Sequence, residues 1–169
     1  KFNKMIRIFL FSFMYLILVS THAETIQIEE LMNENSLNCK GSEWIFKFSN
    51  DMSEQKKIGL KVNKSEQKLR LGNNTYFGIQ AHQNYKTQNM IQNDFAVNFQ
   101  KYGVKVLKIA FQEIKTSESE SGAYYFIFQG KPVTVLHQLK KTLDKNWNIE
   151  NTLEATPQGN TKLSCVYIG

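Results

Sequence analysis

Hydrophobic and polar residues follow one another along this chain with a period that changes repeatedly, and each change predicts an element. The front is basic and then apolar without interruption from Ile8 to Val19, a run of 12 residues. A spanning helix needs about 20. Small residues at Thr21 and Ala23 stand where a signal peptidase reads them. The pattern therefore predicts a signal peptide over residues 1–23, cleaved after Ala23, with an uncleaved anchor as the alternative. One domain is expected to follow, over Glu24–Gly169.

Thr25–Asn33 (TIQIEELMN) sets Ile28, Leu31 and Met32 on one side behind Thr25 as a cap, which predicts a short helix. The period then falls to two. Trp44, Phe46 and Phe48 predict a strand over Glu43–Phe48, and Asn50–Glu54 a polar loop. Ile58, Leu60 and Val62 mark a strand over Lys57–Asn63, and Leu69 and Leu71 another over Lys68–Leu71. After Gly72-Asn73-Asn74, Phe77, Ile79 and Ala81 share a face of Thr75–Ala81. Four strands with short polar turns predict an antiparallel meander with one polar face.

At Thr87–Tyr102 the spacing of Ile91, Phe95, Phe99 and Tyr102 predicts a helix, with Thr87 as its cap and Gly103 as its left-handed end. Val104–Ile114 is apolar on both faces and predicts a central strand, pairing with Ala123–Gln129 across the polar loop Lys115–Gly122. Pro132 opens a further helix whose stripe is Val133, Leu136, Leu139 and Leu143. Ile149–Ala155 and Lys162–Ile168 read as the last strands. The fold class expected is α+β: an antiparallel or mixed sheet of about eight strands, two main helices packed on one face, and a short N-terminal helix.

Composition changes this picture little. The 169 residues are 41% apolar and 21% charged, as in a globular protein. The net charge of +6 suggests an anionic partner until its location is considered. Lys1, Lys4 and Arg7 lie in the leader, which has no acids, so 18 bases against 15 acids leave +3 on the remainder. Those bases are scattered rather than gathered into a stripe, so nucleic acid is not an expected partner.

Cys39 and Cys165 are the only cysteines. Export implies an oxidising compartment, in which two thiols pair. The pairing would tie the first strand of the domain to its last and close a span of 126 positions. On the chain-entropy argument that is worth about 4–5 kcal/mol. The alternative, a redox or reactive thiol, would more commonly bring close spacing such as C-x-x-C.

The remaining chemistry is thin. No metal-ligand spacing, phosphate loop or nucleophile elbow occurs, so no catalytic residue, cofactor or metal is expected. His137 reads as a helix-flank residue, and His82 sits in a polar stretch where it could meet a ligand. Glu43, Asp94 and Glu113 are acids within ordered segments, and a hydrolase would need two of them, or a His–carboxylate pair, in one cleft. Tyr85 and Trp147 stand among polar neighbours and read as exposed, which suits anchors at an interface. The function expected is a small exported binding protein of the periplasm or outside the cell. It would be non-enzymatic, of the inhibitor or immunity type, with another envelope or secreted protein as partner and no membrane anchor after cleavage. A carrier with an aromatic-lined cavity for a small ligand, and then a small secreted hydrolase, are the alternatives.

Overall fold

The computed structural model describes residues 23–55, 59–115, 120–145, 147 and 153–168. The expected leader, apart from Ala23, lies outside them, as do Ile58 and the first part of the strand expected from Ile149. Ten strands and three α-helices occur among the described residues, in two sheets. The first sheet holds β1 (Thr25–Gln27), β2 (Val62–Asn63), β3 (Lys68–Leu71) and β4 (Asn74–Phe77), in the order β1-β4-β3-β2 with β1 parallel to β4. The second holds β5 (Ile79–Lys86), β6 (Met90–Lys101), β7 (Val104–Lys115), β8 (Glu120–Phe128), β9 (Leu153–Ala155) and β10 (Thr161–Ile168). Its order is β5-β6-β7-β8-β10-β9, antiparallel throughout. The helices are α1 (Glu34–Leu37), α2 (Glu43–Gln55) and α3 (Pro132–Thr142).

The fold is α+β, as the patterning implies, but the single sheet of about eight strands is corrected to sheets of four and six. The division falls at Gly78. With φ of 87° it turns the chain out of β4, and a Cβ there would lie 2.9 Å from the Ile28 side chain. The turn also changes which parity is buried. Tyr76 and Ile79 are both fully buried, in place of the expected Phe77–Ile79–Ala81 face.

Two elements exchange their expected types. Glu43–Phe48 is not a strand but the start of α2, and the expected loop Asn50–Glu54 is its continuation. Ser42 begins the helix, its Oγ accepting from the Ile45 N–H at 3.3 Å. Ile45, Phe48 and Met52 make the buried stripe, whereas Phe46 stays 45% exposed. Apolar steps of two over a few residues fit one turn of helix as well as a strand. The steps of three and four that follow Ile45 are what packing uses.

Thr87–Tyr102, conversely, is not a helix. It is strand β6, hydrogen-bonded to β5 and β7 on its two sides. Ile91, Phe95 and Phe99 are four apart, a spacing that keeps one face in a strand as well as in a helix. Tyr102, which favours the helical reading, lies instead in the turn to β7. Tyr102 and Gly103 have φ of 53° and 77°, and Lys101 pairs with Val104. Two left-handed residues in a two-residue loop make a type I′ hairpin, whose twist matches that of the strands. The expected helix Thr25–Asn33 is likewise replaced by β1 and a 3-10 turn over Ile28–Leu31. Asn33 does not end that helix but caps α1, accepting from the Ser36 N–H at 3.0 Å.

The hairpin β7–β8 and the helix opened by Pro132 form as the patterning implies. In α3, Val135 and Leu139 are buried and Val133 is 72% exposed, so the stripe is rotated from the expected one. Both buried residues join Val104, Val106, Phe128 and Leu163 in the single core that also takes up α2. Phe48 is the hub of that core, with ring centroids 4.7 Å from Tyr76, 5.0 Å from Phe95 and 5.1 Å from Phe111.

Cys39 and Cys165 form a disulfide with their Cα atoms 4.9 Å apart. It joins the turn after α1 to β10 rather than the first strand to the last, because Cys39 follows a helix and has a left-handed φ of 55°. Such a crosslink fits an oxidising compartment.

Candidate functional site

Alternation along β6, β7, β8 and β10 gives the six-stranded sheet two faces of different character. The inner face carries the row Phe95, Ile109, Phe126 and Leu163, aligned by strand pairing and fully buried against the helices. One residue along, the outer face carries Asp94, Ala110, Tyr125 and Ser164. The polar contacts at the centre of this outer face run between its own strands.

At its centre is a closed polar network. Asp94 is 4% exposed, and its carboxylate is fully engaged. Lys108 Nζ donates to Oδ2 at 2.5 Å, and Tyr125 Oη and Gln92 Nε2 donate to Oδ1 at 2.9 and 2.8 Å. Gln92 also donates to Tyr125 Oη at 2.5 Å. Lys162 Nζ lies 4.7 Å from the centre of the Tyr125 ring, a cation–π contact. Burial, and then the Asp94 charge, raise the Tyr125 phenol well above its ordinary value, so it remains a donor. A carboxylate with three donors is a charge-neutralised anchor for the sheet centre. Around it the face is mixed: Ala96, Ala110 and Ala123 keep it low, while Tyr85 at 44% and Val166 at 68% exposure stand out on opposite sides.

The residues singled out from the sequence are dispersed. Tyr85 is exposed on the outer face, as expected, its hydroxyl donating to Gln83 Oε1 at 2.7 Å. His82 is not in a loop but on β5, facing inward, stacked on Phe95 at 5.0 Å with Nε2 2.9 Å from Asn93 Oδ1. Trp147, expected to be exposed, is only 5% so. Its backbone N–H donates to the Asp144 carbonyl at 2.9 Å, and its side chain joins the core. Glu43 is exposed at the start of α2, and Glu113 is on the inward parity of β7, opposite to Asp94. His82 and Asp94 therefore occupy opposite faces of the sheet and share no cleft.

The Asp94 network as a unit was not legible in the sequence. Its members lie on three strands, so only the pairing register brings them together. The available signal was the alternation of Gln92 and Asp94 with Asn93 and Phe95 once Thr87–Tyr102 is taken as a strand.

Comparison with known proteins finds no matching family model, no curated protein of significant similarity and no solved structure that matches this fold significantly.

Proposed function

We propose that this chain is an exported, non-enzymatic binding protein of the inhibitor or immunity type, and that the outer face of the six-stranded sheet engages another envelope or secreted protein. The observation that carries this reading is the contrast just described: a sheet face locked at its centre by Asp94 and bearing exposed Tyr85 and Val166. A preorganised face with aromatic and aliphatic anchors binds at small entropic cost. Against a carrier, the interior aromatics Phe48, Phe95 and Phe111 fill their space by contacting one another. Against a hydrolase, the carboxylate of Asp94 is consumed by three donors.

Affinity capture from the envelope of the producing cell tests the reading, with wild type, Val166→Asp, Tyr85→Ala and Val133→Asp as baits. Val133 is exposed on α3, away from the outer face. A partner retained by wild type and Val133→Asp but lost by the two outer-face variants is the expected result. A partner insensitive to both outer-face changes would overturn it.

A further inference from the structure

The expected cleavage point stands directly against the fold. Ala23 and Glu24 are exposed, and β1 starts at the next residue. Glu24 is nevertheless held at both ends of its backbone. Its carbonyl accepts from the Thr75 N–H at 2.9 Å, and its own N–H donates to Asn74 Oδ1 at 3.2 Å.

Asn74 is 9% exposed, and its Nδ2 donates to Asp51 Oδ2 at 2.7 Å. Flipping the amide would set its oxygen against that carboxylate and its NH2 against the Glu24 N–H, so the orientation is fixed. Tyr76 Oη donates to the same Asp51 oxygen at 2.6 Å. Lys47 Nζ lies 3.5 Å from Glu24 Oε2 and 3.9 Å from Asp51 Oδ2. Among the described residues, the ionised side chains joined here are Glu24, Lys47 and Asp51, two negative charges against one positive. The cluster therefore has a negative excess beside the Glu24 nitrogen.

We propose that Asn74 and Asp51 are the binding site for the chain's own new amino end. Hydrolysis of the Ala23–Glu24 bond by a signal peptidase takes up one water and leaves a carboxylate on Ala23 and an ammonium on Glu24. The nitrogen that donates to Asn74 as a neutral amide then donates as a cation. Asn74 links it to Asp51, and the added charge offsets the negative excess. A charge-assisted hydrogen bond is about twice as strong as a neutral one. Removal of the leader thus tightens the seam between β1, β4 and α2, whereas a chain cut elsewhere keeps the fold and lacks this contact. This role of Asn74 and Asp51 rests on the export proposed above, and it is independent of the outer sheet face.

The test expresses the full chain with its own leader in an exporting bacterium and weighs the exported protein by intact-mass spectrometry. The mass of Glu24–Gly169 is expected, and a mass that retains leader residues overturns the proposal together with cleavage after Ala23. The exported protein is then compared with a variant carrying a glycine and an asparagine inserted between Ala23 and Glu24, in which the Glu24 nitrogen remains an amide. In urea titrations near about pH 6.5, below the ordinary α-amine value, the extended variant should unfold with an equilibrium constant about fivefold larger. The charged groups facing the ammonium are the Glu24 carboxylate, Lys47 and Asp51, and burial raises the Tyr76 phenol well above its ordinary value, so it stays protonated. Stability from a held ammonium is complete below about pH 8, its unfolded value, and is lost as the pH rises beyond it. The gap should therefore close by about pH 9.5. In Asp51→Asn the gap should shrink even near neutrality. With the Glu24 end confirmed by mass, a gap that is absent near about pH 6.5, persists at about pH 9.5, or is unchanged in folded Asp51→Asn overturns the proposal and leaves export standing.

Discussion

Tyr125 and Phe126 are neighbours in β8, both aromatic and both withdrawn from solvent, yet they belong to different kinds of structure. Phe126 points inward, fully buried, with ring contacts to Tyr124 at 6.0 Å and Phe128 at 6.1 Å. Tyr125 points outward, covered by the side chains of its own face, and its hydroxyl is committed to Asp94. Asp94 and Phe95 repeat the contrast on β6. The inner face is held by the removal of apolar area from water, which needs a second layer. The outer face is held by lateral pairing of polar side chains within the sheet.

The largest way to break this comparison is Phe126→Ala. Truncating a fully buried phenylalanine in a close-packed core should cost about 3–5 kcal/mol, read as a lower urea midpoint. Asp94→Ala should cost less, about 1–3 kcal/mol, because Tyr125 and Gln92 lose their acceptor while Lys108 can turn to water. If Asp94→Ala were as damaging as Phe126→Ala, the outer face would be a core in its own right.

The smallest effect sharpens the comparison through pH. Burial raises the Tyr125 phenol first, with the Asp94 charge adding to it, and Tyr76 is raised by burial and by its hydrogen bond to Asp51. Burial also pushes Tyr124 up to about 12. A folded pKa above the unfolded value means that the folded chain holds the proton more tightly. The associated stability is complete below about pH 10, the unfolded tyrosine value, and is lost as pH rises beyond it. The urea midpoint of wild type should therefore fall between about pH 10 and pH 12. Tyr125→Phe should cost about 1 kcal/mol near neutrality and show a shallower alkaline fall. An identical alkaline slope in the variant would remove Tyr125 from the titrating set.

Much of the strand content was readable because alternation survives packing. Leu69 and Leu71 in β3, the hairpin β7–β8, and the shared face of Leu163 and Cys165 in β10 all follow directly from period two. The errors lie where two periods coincide. Trp44-Phe46-Phe48 and Ile91-Phe95-Phe99 each satisfy a helix and a strand over the few residues concerned, and opposite readings were realised in the fold. Ser42 as a helix cap and Tyr102-Gly103 as a type I′ turn were local signals that would have reversed both. Of the candidate residues, Tyr85 is exposed as its polar neighbours imply, whereas Trp147, set among polar residues too, is buried, because polarity along the chain does not report which side chain a tertiary contact covers.

By itself the sequence determined an α+β class, the two-cysteine pairing, and the strands whose apolar positions alternate without ambiguity, since these depend on local spacing or on there being only one possible pair. Tertiary structure alone decided the division into two sheets at Gly78, the type of α2 and β6, and the gathering of Gln92, Asp94, Lys108 and Tyr125 from three strands. The physical reason is that register and layer are set by contacts between segments distant in the chain, and a one-residue shift in either sends every side chain to the opposite face.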